Sequence, residues 1–225
     1  GGDAPNVAQL NTIGAATAGT VTASITGTAA DLDGLTTAST DVITATVSNA
    51  ATVAQFNLIN AATSVAVVLS GGVSDTAAAY AATNGTTTAG TAAIKIQDPD
   101  AVMTVSDAAN VAQFNTIDDA TSSAVVLSGG LTDEAVNFAA TNGTATSGLT
   151  NSTTQDTNVA IVISGGTAPN IAQLTTIDNA TAGTLTYTSI TDTATNLATN
   201  TGGYLSGSVD VIITDAPDLS ELVSI

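Results

Sequence analysis

The chain reads as an α/β repeat solenoid: a parallel sheet of short strands with short helices, built from strand–turn–helix half-units. Three observations predict this. A seven-residue motif returns four times, as Val7-Ala8-Gln9-Leu10-Asn11-Thr12-Ile13, Val53-Ala54-Gln55-Phe56-Asn57-Leu58-Ile59, Val111-Ala112-Gln113-Phe114-Asn115-Thr116-Ile117 and Ile171-Ala172-Gln173-Leu174-Thr175-Thr176-Ile177. Apolar runs of strand length lie between the copies, and Asp, Pro and Asn-Gly punctuate them at matching places. Such self-similarity marks supersecondary units that bury their apolar faces on one another.

The motif starts at 7, 53, 111 and 171, so the steps are 46, 58 and 60 residues. This places repeats at approximately 3–48, 49–106, 107–166 and 167–214, with 215–225 opening a further copy. Residues 1–225 are then expected to form one elongated segment of a longer or processed polypeptide. A second half-unit sits inside each repeat, at Ile25-Thr26-Gly27-Thr28, Val73-Ser74-Asp75-Thr76, Leu131-Thr132-Asp133-Glu134 and Ile190-Thr191-Asp192-Thr193.

The strands follow from runs such as Val159-Ala160-Ile161-Val162-Ile163, whose continuous apolar character predicts cover on both faces. Ile171, Leu174 and Ile177 recur at i, i+3, i+6 and predict one buried helical stripe. Asp3, Asp107 and Asp215 stand where an N-cap or Asx turn would sit, and Pro5, Pro169 and Pro217 fit a first helical turn. Asn84-Gly85, Asn142-Gly143 and Gly202-Gly203 read as helix stops. Strands stand ~4.8 Å apart while helix axes need about 8–10 Å; the Ala-rich helical stretches ease that mismatch. An all-β solenoid, with those stretches irregular, is the alternative. Copies two and three carry extra segments, 86–99 and 144–158, expected as loops that decorate one face.

Composition excludes several functions. With 17 Asp, 2 Glu and the single Lys95, the net charge is −18. Neutralising nucleic-acid phosphates needs clustered Lys and Arg, so no nucleic-acid partner is expected. An anionic membrane surface would repel the chain, and no apolar run reaches the ~20 residues of a span, so no membrane insertion is expected. His and Cys are absent, which removes the usual bases, thiolates and transition-metal ligands. Asp118-Asp119 is an adjacent Asp pair, in a position where other copies read Asp178-Asn179 or Asn60-Ala61, and a solvated turn explains it. The chain is expected not to be an enzyme and to hold no organic cofactor.

Calcium is the cation that the remaining oxygen ligands suit. Asp31 and Asp33, in Asp31-Leu32-Asp33-Gly34, and Asp98 and Asp100, in Asp98-Pro99-Asp100, are the candidate metal ligands. Asp75, Asp133 and Asp192 recur once per repeat, either as helix caps or as an acidic ladder. Asn84, Asn142, Asn151 and Asn179 match the glycosylation acceptor pattern, which a chain this rich in Asn and Thr supplies by chance.

From Asn170-Ile171-Ala172-Gln173-Leu174 through Ala180-Thr181-Ala182-Gly183-Thr184-Leu185 to Ile190-Thr191-Asp192-Thr193-Ala194, the chain resembles the repeats of giant, acidic, Ala/Thr-rich cell-surface proteins of marine cyanobacteria. Copies two and three depart from that pattern through Phe56, Phe114 and the longer inserts. The resemblance implies a secreted structural role, in surface layers, extracellular filaments or adhesion, and brings no catalytic residues. The expected function is therefore a structural segment of an extracellular filament or surface layer that self-associates with like segments. The alternative is an adhesin or phage-fibre-like binding module that uses 86–99 and 144–158 to reach a glycan or another cell. Tyr80, Tyr187 and Tyr204 are the only tyrosines to serve as sugar platforms, and their spacing suits a core better.

Overall fold

The computed structural model describes residues 5–225, and it is mixed α/β with several small parallel sheets. Asp3, expected as a cap, lies outside the described residues. Two compact units divide the chain: Gly1–Asp107 with Thr116–Val126, and Ala108–Asn115 with Leu127–Ile225. The first unit runs α1 (Val7–Ala16), β1 (Thr22–Gly27), α2 (Ala29–Leu32), β2 (Val42–Val47), α3 (Val53–Ala61), β3 (Val73–Asp75), α4 (Ala77–Tyr80), α5 (Ala89–Gln97) and β4 (Met103–Val105). Helix α6 (Val111–Asp118) and strand β5 (Val125–Leu127) run across the division. The second unit continues with β6 (Leu131–Asp133), α7 (Ala135–Phe138), α8 (Ser147–Gln155), β7 (Ile161–Ile163), α9 (Ile171–Ala180), β8 (Leu185–Thr186), β9 (Ser189–Asp192), α10 (Ala194–Thr199), β10 (Asp210–Ile213) and α11 (Leu219–Ser224). Eleven helices among the described residues set aside the all-β alternative.

Strand pairing is parallel in both units. In the first, Thr22 pairs with Val42 and Gly27 with Val47; bridges join Thr46 to Val68 and Ala51 to Val73; Val73 pairs with Met103. In the second, Ala109 bridges Leu131, Leu131 pairs with Ile161, Ile161 with Leu185, and Ser189 with Asp210. Each pairing joins a strand to one 20–30 residues further on, so a helix fits between them and the connection returns in the same direction. Among the described residues none of these sheets closes into a barrel.

Sequence dictates the helices through their first turns. In α1, Asn6 Oδ1 accepts the Gln9 N–H at 2.9 Å while Gln9 Oε1 accepts the Asn6 N–H at 2.9 Å. The same reciprocal box joins Thr52 to Gln55, Asn110 to Gln113, Asn170 to Gln173 and Asp218 to Glu221. The Gln of the recurring motif is thus the third helical residue reaching back to its own cap. Prolines 5, 169 and 217 stand one position before these caps, outside the helix, and not in its first turn as expected. There their fixed φ aims the chain into the cap.

Three further expectations need correction. The apolar runs are not covered on both faces: Ile161 and Ile163 are buried, while Val162 between them is 37% exposed. Burial alternates along the strand, so continuous apolarity here reflects β-branched strand propensity as well as burial. Asn84-Gly85 and Asn142-Gly143 do not stop helices, since α4 and α7 end at Tyr80 and Phe138. Each pair turns a short hairpin, bridged Ala81 to Thr87 and Ala139 to Ala145, with Gly85 and Gly143 at φ 80° and 81°.

Nor are the inserts 86–99 and 144–158 surface loops. They hold α5 and α8, whose Ile94 and Leu149 are fully buried. Each helix presses a glycine onto the motif helix, so that a Cβ on Gly90 would overlap Val53 Cγ1 and one on Gly148 would overlap Val111 Cγ1. Replacing Gly by Ala inside an exposed helix gains about 1 kcal/mol. Here Gly90→Ala and Gly148→Ala should each instead lose about 1–3 kcal/mol through overpacking, read by urea unfolding; a gain in either would show that the contact is loose.

Candidate functional site

What recurs across the molecule is a set of side chains that reach from one half-unit to the first turn of the preceding helix. Asn49 Oδ1 accepts the Ala29 N–H at 2.7 Å, Asp75 Oδ2 that of Val53 at 3.0 Å, and Asp107 Oδ1 that of Ala77 at 2.6 Å. Asp133 Oδ2 accepts from Val111 at 3.0 Å, Asp192 Oδ2 from Ile171 at 3.1 Å and Asp215 Oδ1 from Ala194 at 2.7 Å. Every one of these donors is the first residue of its helix. That N–H has no intrahelical partner and lies at the positive end of the helix dipole, so a carboxylate is the favoured acceptor.

Capping by Asp75, Asp133 and Asp192 matches one of the two sequence readings, but the helix they serve is the one before, not their own. The other oxygen stays local: Asp133 Oδ1 accepts from Glu134 N and Asn137 Nδ2, and Asp192 Oδ1 from Thr193 N and Asn196 Nδ2. Asp107 and Asp215 likewise miss the caps expected of them, because Asn110 and Asp218 hold those positions.

A second recurrent device follows the motif helices. Thr63 Oγ1 donates to the Ile43 carbonyl, Thr121 Oγ1 to Ala101 and Thr181 Oγ1 to Val159, each 20–22 residues back. Each of these oxygens also accepts an N–H two residues ahead, which fixes the turn into the next strand. No buried side-chain nitrogen or oxygen among the described residues lacks a partner.

Three of the four expected metal ligands, Asp31, Asp33 and Asp98, accept hydrogen bonds from protein donors. Asp31 accepts the Thr28 N–H and hydroxyl, contacts that hold its carboxyl below the usual carboxylate range. Asp33 Oδ2 accepts from Gln55 Nε2 at 3.1 Å. Asp98 Oδ2 accepts the Leu69 N–H, standing in for a strand carbonyl, with Asp100 beside it. Burial first, then the neighbouring Asp100, raises the Asp98 carboxyl; the Leu69 N–H opposes the rise. Asp98 and Asp100 share a shallow cleft with Leu69 and Gly72, whereas no group of three or more His, Cys, Asp or Glu converges among the described residues. Tyr80 and Tyr204 are buried, the former donating to the Thr104 carbonyl, and the Tyr187 ring meets Tyr204 edge-on at 6.4 Å.

Reading the sequence missed Asp41, Asp156 and the role of the motif glutamines. Asp41 is buried and accepts from Val21 N and Ala38 N; Asp156 accepts from Leu127 N. A fourfold Gln three residues after Asn or Thr was the available signal for a capping box. One break in the ladder stands out. Helix α7 has Glu134 as its N-cap with no side-chain cap bond, and Gly165-Gly166 lie against Glu134. A cleft of about 430 Å³ opens there, lined by Glu134, Val136, Thr141, Thr167, Asn170 and Asp192 among others. Its lining offers hydroxyls and carboxylates. Compared with protein families, curated proteins and solved structures, the chain matches none.

Two sets of variants test these assignments. Asp133→Ala or Asp192→Ala removes one cap between half-units and two local bonds, and each should lose about 2 kcal/mol in urea unfolding; Glu134→Thr, which restores the residue found at 28, 76 and 193, should gain about 0.5–1 kcal/mol. For Asp98 the folded value lies above the unfolded one, so stability falls as pH rises through that interval. Asp98→Asn keeps an acceptor for Leu69 and should raise the melting temperature at pH 7 by the equivalent of under ~1 kcal/mol. Below about pH 3.5, where the carboxyl is protonated in both states, the gain should vanish.

Proposed function

We propose that the chain is a structural segment of an extracellular repeat solenoid that builds or coats a filament or surface layer. One observation carries the reading: the first turn of a helix is completed by a side chain from the half-unit that follows it. Such a plan makes each unit depend on its successor and has no natural internal limit, which is what a support needs and a catalytic centre does not. Supporting it, the inserts 86–99 and 144–158 serve as packing helices, and their hairpin tips are tied down as well. Thr116 Oγ1 donates to the Gly85 carbonyl and Thr176 Oγ1 to the Gly143 carbonyl. No helix of the described residues is long and apolar enough to cross a membrane. With Lys95 the one Lys and no Arg, a trypsin-like protease has a single site to attack.

The resemblance to acidic cyanobacterial surface proteins agrees with this reading. Antibodies raised against the chain and applied to intact, unpermeabilised cells of its source should decorate filaments or a surface layer in electron micrographs. Label confined to permeabilised cells would sink the proposal.

A further inference from the structure

Four Asn-x-Ser/Thr sequences occur in the chain, and the fold sorts them into two kinds. Asn84 and Asn142 stand at the tips of the two hairpins bridged Ala81 to Thr87 and Ala139 to Ala145, one in each unit. Both are exposed. Asn151 and Asn179 lie inside helices α8 and α9.

At the hairpin tips the acceptor side chain is folded into an Asx turn. Asn84 Oδ1 accepts the Thr86 N–H and Asn142 Oδ1 the Thr144 N–H, each at 3.0 Å. That bond brings the asparagine amide and the threonine two residues on into one turn. Among the described residues neither amide nitrogen and neither threonine hydroxyl has a hydrogen-bond partner. The other two sequences are closed. Thr153, two residues after Asn151, donates its hydroxyl to the Leu149 carbonyl at 2.9 Å. Thr181, two residues after Asn179, is buried and donates to the Val159 carbonyl at 2.6 Å. In α8 the helical backbone also ties the Thr153 N–H to the carbonyl four residues back, which leaves no donor for an Asx turn.

We infer that Asn84 and Asn142 are sites of N-linked glycosylation. The donor is an oligosaccharide activated on a polyprenyl diphosphate. Asn Nδ2 attacks the anomeric carbon of the sugar, the new N–C bond forms as the bond to the diphosphate oxygen breaks, and the amide gives up one proton. The lipid diphosphate is the leaving group. This assignment rests on the extracellular reading above, since such transfer accompanies export. A bulky, hydrated group at the tips would cover exposed turns, where proteolytic nicking concentrates.

Tandem mass spectrometry of the chain isolated from its source tests the sites, with electron-transfer fragmentation to keep the glycosyl bond intact. Asn84 and Asn142 should carry the mass of a sugar, and Asn151 and Asn179 should carry none. Expressed in the source, Thr86→Ala and Thr144→Ala should each lose the sugar from the asparagine two residues before, while Thr86→Ser and Thr144→Ser keep it. Circular dichroism should show both Ala variants folded, because the hydroxyl they lose has no partner. A bare Asn84 or Asn142, sugar on Asn151 or Asn179, or a Thr86→Ala chain still modified at Asn84 would overturn the assignment. Bare asparagines on a chain that labels at the cell surface sink the sites alone, whereas label confined to permeabilised cells sinks the structural reading, so the two failures are separable.

Discussion

The carboxylate that crosses from one half-unit to the first N–H of the preceding helix is the constraint on which the rest depends. These helices are short, and α2, α4 and α7 have four residues each. In helices of that length nearly every backbone group is terminal, so intrahelical bonding alone cannot sustain them. In α2 and α4 a local cap satisfies the third N–H, and the neighbouring half-unit satisfies the first. Helix and sheet are therefore set together: Asp133 fixes the start of α6 and ends the strand, β6, whose Leu131 bridges Ala109 just before that helix.

This changes what the acidity of the chain means. A net charge of −18 invites an explanation in terms of partners or salinity. Among the described aspartates, however, residues 31, 41, 75, 98, 107, 133, 156, 192, 215 and 218 accept backbone N–H groups. Their partners are main-chain donors at helix starts and strand ends, which is why so few Lys and Arg are needed to balance them. Charge here follows from a fold built of many short elements, each with ends to satisfy.

The two inserted segments show how the plan stretches without breaking. Each adds a hairpin and a helix between successive strands, and each returns the chain to the same register. Gly90 and Gly148 let the added helix lie directly on the motif helix, and Thr116 and Thr176 anchor the hairpin tips. The interval before the next strand lengthens from about 20 to 30 residues, yet the pairing Leu131–Ile161 stays parallel like Thr22–Val42.

By itself the sequence determined the mixed α/β class, the parallel pairing and the buried stripe Ile171, Leu174 and Ile177. It could do so because these rest on spacing and on branched apolar residues, which act locally. It also singled out Asp75, Asp133 and Asp192, as helix caps or as an acidic ladder. Only the tertiary structure decided which helix each of them caps, because a side chain's nearest orphan N–H is set by strand register across 20–30 residues. The same holds for the inserts: Thr, Gly and Ala look like loop residues until Gly90 meets Val53, and a helix is then the conformation that brings them together. One-sided burial of Val159–Ile163 was likewise invisible, since an apolar run reports propensity and cover alike, and only the placement of the helices separates the two.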